Sequence, residues 1–186
     1  MQSIQKIRSF LCLPLENCEK QTLLGFMQDP GVRWLRADQL HITLHFLGDL
    51  SSETVQKLDQ ALRKAPLERE PLELTFASWG VFPPGSQGRV LWVGVGGEVA
   101  KLVRLQTALG DLLSSCGIVV EKRPYSPHIT LARASRGGVI SREARKALEN
   151  AAFYGQGWKA DRFLLMKSEL LPQGPRYNPL GSYELS

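Results

Sequence analysis

The tetrapeptide His-Ile-Thr-Leu occurs twice, as His41-Ile42-Thr43-Leu44 and, 87 residues later, as His128-Ile129-Thr130-Leu131, and it takes two of the chain's three histidines. Polar and apolar residues alternate in it with the period of a half-buried strand, so His and Thr share one face while Ile and Leu enter the core. Each copy therefore sets an imidazole beside a hydroxyl. The separation is far longer than the repeat lengths of about 20–50 residues found in solenoids and propellers, which points to a duplicated half-domain. Packing alone would preserve the Ile and Leu positions; both copies also keep the His and Thr. A pseudo-two-fold arrangement would bring both pairs to one cleft.

The surrounding pattern predicts strands at 7–13, 32–35, 40–47, 72–76 and 89–95 in the first half, the third closed by Gly48-Asp49. Asp29-Pro30-Gly31 reads as a turn. Helices are expected over 16–28 and from Ser51-Ser52-Glu53 to about Lys64, with Val55, Leu58 and Leu62 inward. The second half repeats the order: a helix from Glu98 to about Ser115, strands at 118–121 and 127–133, a helix from Ser141 to about Asn150, and closing strands at 160–171 and 180–185. No steady βαβ rhythm or G-x-G-x-x-G is present, so a doubly wound nucleotide fold is not supported. The expectation is an α+β fold: a bilobal pseudo-two-fold duplication, two mostly antiparallel sheets lining a central cleft with helices outside.

With 186 residues, 43% of them hydrophobic, the chain can bury the core of a single domain over 1–186. A net charge of +5 suits an anionic partner without identifying one. Cys12, Cys18 and Cys116 are odd in number and form no C-x-x-C, which fits a reducing, cytoplasmic setting and no disulfide framework. No apolar run approaches the ~20 residues of a membrane span. Lys6 and Arg8 before Phe10-Leu11-Cys12-Leu13 faintly resemble a secretory signal, but Pro14 and Glu16 interrupt it.

Two imidazoles titrating near pH ~6.5 can serve as one neutral base and one protonated acid, which suits displacement at phosphorus. His41 and His128 are the catalytic candidates, and Thr43 and Thr130 would donate to the non-bridging oxygens. Neither role requires a metal or cofactor. His41 and His45 could ligate one ion only from a helix, because on a strand they stand about 13 Å apart. His45 alternates onto the face of His41 and Thr43 and is a candidate substrate contact, its alternative being a solvated strand-end residue. Arg133 is a phosphate-binding candidate, although its odd offset from His128 turns it to the other face unless the strand bulges there. Lys122, Arg123, Arg136, Arg142, Arg145 and Lys146 flank the second motif, as a guide for a polyanion or simply a solvated face. Trp34, Phe46, Trp79, Trp92, Tyr125 and Tyr177 could stack a base, with a core position as the default for each.

The doubled His-x-Thr resembles the 2H phosphoesterase superfamily. Phe10-Leu11-Cys12-Leu13-Pro14-Leu15, His41 to Gly48, Arg89-Val90-Leu91-Trp92-Val93-Gly94, Pro127 to Arg133 and Arg176-Tyr177-Asn178-Pro179-Leu180 look like successive signatures of the bacterial and archaeal RNA 2′,3′-cyclic phosphodiesterases, formerly called 2′-5′ RNA ligases. The resemblance implies one domain of two intertwined lobes, monomeric, with a basic cleft. It further implies metal-independent opening of a terminal 2′,3′-cyclic phosphate on an RNA or oligonucleotide to a 2′-phosphate, and reversible 2′-5′ joining. His41 would be the proton donor, His128 the acceptor, Thr43 and Thr130 the phosphate-binding hydroxyls and Arg133 a favoured basic position; His45 departs from the usual pattern, and Phe46 is carried as a further substrate contact. The competing readings are a non-catalytic RNA-end-binding module and a metal-dependent hydrolase.

Overall fold

The β-branched and aromatic runs become strands, and the amphipathic stretches between them become helices. In the computed structural model, which describes residues 6–29, 31–67, 70–121, 123–149 and 151–185, the order is β1 (Lys6–Pro14), α1 (Asn17–Leu24), β2 (Arg33–Trp34), a 3-10 turn (Ala37–Gln39), β3 (His41–Ser51), α2 (Ser52–Lys64), β4 (Leu72–Phe82), β5 (Val90–Gly97), α3 (Val99–Ser115), β6 (His128–Arg133), α4 (Arg142–Glu149), β7 (Gly157–Ala160), β8 (Arg162–Leu171) and β9 (Gly174–Glu184). The expected Pro30 turn centre, the helix end at Asn150 and the flanking Lys122 lie outside the described residues. Among the described residues no helix is long and apolar enough to cross a membrane.

All strand pairs are antiparallel, in the order β7-β4-β5-β6-β3-β1-β8-β9, with β2 added to β6. The two expected sheets are thus joined edge to edge, and β3 meets β6 at the pair Ile42–Ile129. These residues are also equivalent in the repeat, so the pseudo-two-fold passes between them. β5, expected to close the first half, instead opens the second, pairing with β6 as β1 pairs with β3, and each half lends a strand to the other: β4 follows α2 yet pairs with β5, and β8 follows α4 yet pairs with β1. Ile42 and Ile129 are fully buried, as are Leu58 and Leu62 of α2 and Leu102, Leu109 and Leu113 of α3. Truncating either isoleucine to Ala would cost about 2–5 kcal/mol.

Several element ends differ from the expectation. Gly48 does not close β3; it takes a positive φ of 67° within the strand, which runs on to Ser51. Ser51 then caps α2, its Oγ accepting from the Thr54 amide at 3.1 Å. Residues 118–121 form no strand. Gly117, at φ 74°, ends α3, and the Ile118 amide reaches back to the Leu113 carbonyl at 2.9 Å. Ile118 is therefore the buried apolar residue that follows a Schellman-type cap, which explains its strand-like hydrophobicity. Of the closing strands, β8 starts slightly later than expected and β9 is longer, beginning at Gly174, and the two form a hairpin.

The most consequential departure lies inside the two motif strands. Along β3, Cys12 pairs with Thr43 while Leu11 pairs with His45, leaving Leu44 unopposed. Along β6, Trp92 pairs with Thr130 while Leu91 pairs with Ala132, leaving Leu131 unopposed. Leu44 and Leu131 are the equivalent fourth letters of the two repeats. Each is a β-bulge, and one extra residue reverses the alternation of everything after it.

The bulge corrects the expected placement of His45. It does not share the face of His41 and Thr43 but is 6% exposed beneath α3, where Nε2–H donates to the Gln106 carbonyl at 2.7 Å. Gly110 makes room for it, since a Cβ there would stand 3.2 Å and 3.3 Å from two ring atoms. Ala in place of Gly within a helix ordinarily gains about 1 kcal/mol. In the His45→Ala background Gly110→Ala should show that gain by chemical denaturation, and in the wild-type background it should be neutral or destabilising. A Gly110→Ala effect of the same size in both backgrounds would mean the imidazole does not constrain the helix.

Candidate active site

Antiparallel pairing of Ile42 with Ile129 dictates what surrounds that pair. Stepping one residue along each strand sets His41 across from Thr130 and Thr43 across from His128. With the isoleucines directed into the core, all four polar side chains emerge on the other face. They form a square with the histidines on one diagonal and the threonines on the other. Diagonal neighbours on an antiparallel pair lie on the order of 7–8 Å apart, which leaves space for a tetrahedral phosphoryl group between the imidazoles.

Both rings are held in the same tautomer. A carbonyl can only accept, so His41 Nδ1–H donates to the Gln39 carbonyl at 2.7 Å and His128 Nδ1–H to the Ser126 carbonyl at 2.8 Å. Gln39 and Ser126 each stand two residues before their histidine, so the second shell is duplicated with the first. Each Nε2 is thereby left for the cleft; that of His41 lies 3.1 Å from Thr43 Oγ1. Burial pushes the His41 pKa down to about 4, the Gln39 carbonyl opposes this, and the charges of His128 and Arg133 add to the depression. At neutral pH His41 is therefore uncharged, and its Nε2 accepts from the Thr43 hydroxyl.

Aromatic rings wall each histidine. Phe10 lies 4.9 Å from the His41 ring centre, and Tyr177 meets the same ring edge-on at 5.4 Å. Phe82 meets His128 edge-on at 5.2 Å and stacks on Trp92 at 5.1 Å. Trp92 can lie against β4 because Gly80 beneath it has no side chain; a Cβ there would come within 2.2 Å of the indole. Burial raises the Tyr177 pKa, so its hydroxyl remains a donor at neutral pH.

The bulges settle where the remaining candidates point. Past Leu44 the alternation brings Phe46 to the cleft face, 62% exposed and beside Phe10. Past Leu131 it brings Arg133 to the same face as His128 and Thr130, and there its charge acts on both His41 and Tyr177. Of the other aromatics, Trp34 donates Nε1–H to the Asp29 carbonyl and packs against the core with Trp79, while the Tyr125 hydroxyl donates to the Thr43 carbonyl. Among the flanking cations, Arg123 pairs with Glu121, and Arg145 braces the 83–88 loop through the Gly85 and Ser86 carbonyls. Sequence reasoning missed Phe10 and Phe82 as ring neighbours of the histidines. Phe10 falls within a stretch that reads as core, and Phe82 at the edge of a loop; nothing local marks either. His41 and His45 project to opposite faces of β3, so they cannot ligate one ion together.

Comparison with known proteins gives the family of the chain. The family described as the 2′-5′ RNA ligase superfamily matches residues 4–170, and the chain belongs to it. An RNA 2′,3′-cyclic phosphodiesterase of Archaeoglobus fulgidus is 30% identical over 182 residues, 96% of this chain and 100% of that protein. One from Geobacillus stearothermophilus is 28% identical over 182 residues; the chain spans 56% of that relative's length. The crystal structure of Escherichia coli LigT complexed with 3′-AMP superposes with a TM-score of 0.79 at 26% identity, covering 98% of this chain and 99% of that one.

The neutral His41 has a consequence for stability. In the unfolded chain the ring takes a proton below pH ~6.5, whereas the folded protein resists it until about 4. Acid thus favours the unfolded state, and the contribution, present above about pH 6.5, is lost as pH falls through 4, at an expected cost of about 2–3 kcal/mol. Urea denaturation at pH 7 and pH 4.5 should show a smaller acid loss for His41→Gln than for wild type. Equal losses would show that the ring is not held neutral.

Proposed function

We infer that the chain is an RNA 2′,3′-cyclic phosphodiesterase, hydrolysing a terminal 2′,3′-cyclic phosphate to a 2′-phosphate. The observation that carries this is the His/Thr square. A phosphoryl group at its centre has an imidazole at each end of the histidine diagonal, the requirement for in-line displacement, and a hydroxyl toward each side for its non-bridging oxygens. His128 takes a proton from the attacking water as its oxygen bonds to phosphorus. The bond to the ribose 3′-oxygen breaks, and His41 supplies that oxygen with a proton. Thr43 and Thr130 bind the non-bridging oxygens, with Arg133 adding positive charge. The same steps with a 5′-hydroxyl in place of the attacking water, its proton taken by His128 and the ribose 3′-oxygen leaving with a proton from His41, would join a cyclic-phosphate end through a 2′-5′ link. Phe46 offers the exposed ring on which a base would stack; His45, facing α3, supports the motif strand from behind.

The reading extends to the whole chain as one domain of two intertwined lobes, which the exchange of β4 and β8 supports, acting as a monomer in the cytoplasm on RNA ends. Because His41 is neutral in the free protein, it must gain its proton with the substrate. The phosphodiester charge set against Nε2 offsets the desolvation that depresses it.

Protein incubated with an oligonucleotide ending in a 2′,3′-cyclic phosphate, in the presence of chelator, should yield a 2′-phosphate end. Activity that disappears in chelator and returns with Zn²⁺ or Mn²⁺ would identify a metal-dependent hydrolase, and binding without turnover an end-binding module. His41→Ala and His128→Ala should each lower kcat about 10²–10⁴-fold, and His45→Ala far less. Titration calorimetry with a nucleoside 2′-phosphate near pH 7, in buffers of different ionisation enthalpy, should reveal proton uptake that His41→Gln abolishes. No uptake would exchange the roles of the two histidines.

A further inference from the structure

Two exposed cations near the site, Arg33 and Arg133, stand side by side. In the register of β2 against β6, Arg33 lies directly opposite Arg133, and Trp34 opposite the fully buried Ala132. Directly opposed residues share a face, so Arg33 stands beside Arg133 on the cleft side; both are exposed. Like charges directly opposite one another weaken a sheet. Among the described residues neither arginine has a carboxylate partner or a side-chain hydrogen bond, whereas nearby Arg36 is held in a fork by Asp38 at 3.0 Å and 2.8 Å. Arg63, Arg162 and Arg176 likewise have carboxylates of their own. Two unneutralised guanidiniums side by side form a planar-donor site for one anion.

The position of the pair gives that anion an identity. From His128, β6 runs antiparallel to β3 and passes Thr130, which faces His41, before the Leu131 bulge turns Arg133 inward. The arginines therefore lie beyond His41, consistent with the Arg133 charge acting on that ring. His41 protonates the ribose oxygen, so the ribose and the RNA chain upstream of it occupy this end.

We propose that Arg33 and Arg133 form a second phosphate subsite, binding the phosphodiester one nucleotide upstream of the cyclic phosphate, so that the protein selects oligonucleotide ends over mononucleotides. The proposal rests on the phosphodiesterase reading for its direction along the cleft. Arg33 is the distinguishing residue, because Arg133 also adds charge near the reacting phosphate.

The test compares kcat/KM for a dinucleotide ending in a 2′,3′-cyclic phosphate, its analogue with an uncharged methylphosphonate linkage, and a nucleoside 2′,3′-cyclic phosphate. Wild type should prefer the charged dinucleotide over both others by about tenfold or more, as charge-assisted hydrogen bonds allow. Arg33→Gln should collapse that ratio toward one, Arg33→Lys should retain part of it, and the salt slope for the dinucleotide should fall by about one in Arg33→Gln. Thermal unfolding at low salt should show Arg33→Gln at least as stable as wild type, since it relieves like-charge repulsion. Equal use of the three substrates by wild type, or a preference that survives Arg33→Gln, overturns the subsite and leaves the phosphodiesterase reading intact. Equilibrium binding of a dinucleotide ending in a 3′-phosphate, against its methylphosphonate analogue, supplies the independent arm. If no substrate turns over, the functional reading fails, and an Arg33-dependent difference in that binding still decides for or against the subsite.

Discussion

The site depends on a single antiparallel contact, Ile42 against Ile129. Cross-strand partners point to the same side of a sheet, so burying one isoleucine commits the other, and the polar residues on either side of both must emerge together on the opposite face. Four polar side chains from sequence positions 87 apart are placed by the burial of two apolar ones. A one-residue slip in this register would turn a motif's His and Thr into the core. Specificity of register is enforced here because both faces are committed, one to packing and the other to the ring-walled cleft.

The bulges at Leu44 and Leu131 elaborate that constraint. Regular strands would have sent Arg133 and Phe46 to the helix side and kept His45 and Ala132 in the cleft. One inserted residue in each strand exchanges these pairs. Phe46 and Arg133 occupy equivalent positions in the repeat, five residues past their histidines, yet one is an aromatic ring and the other a cation. The duplicated frame therefore delivers unlike groups to its two ends. A symmetric cradle suits the phosphoryl group, whose attacking and departing oxygens lie opposite one another, while an RNA terminus, with a base on one side and further phosphates on another, needs the asymmetry.

How much of this was legible follows from which signals are local. The His/Thr square could be read because period, chemistry and duplication coincide in four letters. The bulges could not be read from the first copy, where His45 continues an apparent alternation of polar residues. The second copy carries the clue, since Leu131-Ala132 is an apolar doublet that breaks period two, and aligning the copies would have transferred that break to Leu44-His45. The burial of His45 depends on Gly110, 65 residues away on another element, and no local pattern encodes such a contact. Residues 118–121 misread for a different reason: a Schellman cap requires an apolar residue after its glycine, and that requirement imitates the start of a strand.

The second-shell carbonyls connect fold to chemistry most directly. Gln39 ends a 3-10 turn and Ser126 precedes β6, two unlike local structures, yet each delivers a carbonyl to the Nδ1 of the histidine two residues on. A strand residue's ring can reach back that far only if the chain enters the strand in a fixed direction, so the entry geometry sets the orientation of both imidazoles. At position 41 the entry is fixed by the Gln39 side chain, whose Oε1 accepts from the Arg36 amide at 2.9 Å and whose Nε2 donates to the Pro175 carbonyl at 2.6 Å. Pro175 is the second residue of β9, the strand that carries Tyr177 onto His41. A buried amide thus joins the tautomer of one histidine to the hairpin that walls it. The side chain that looks least chemical in Gln39-Leu40-His41 binds the C-terminal strand to the ring at the centre of the cleft.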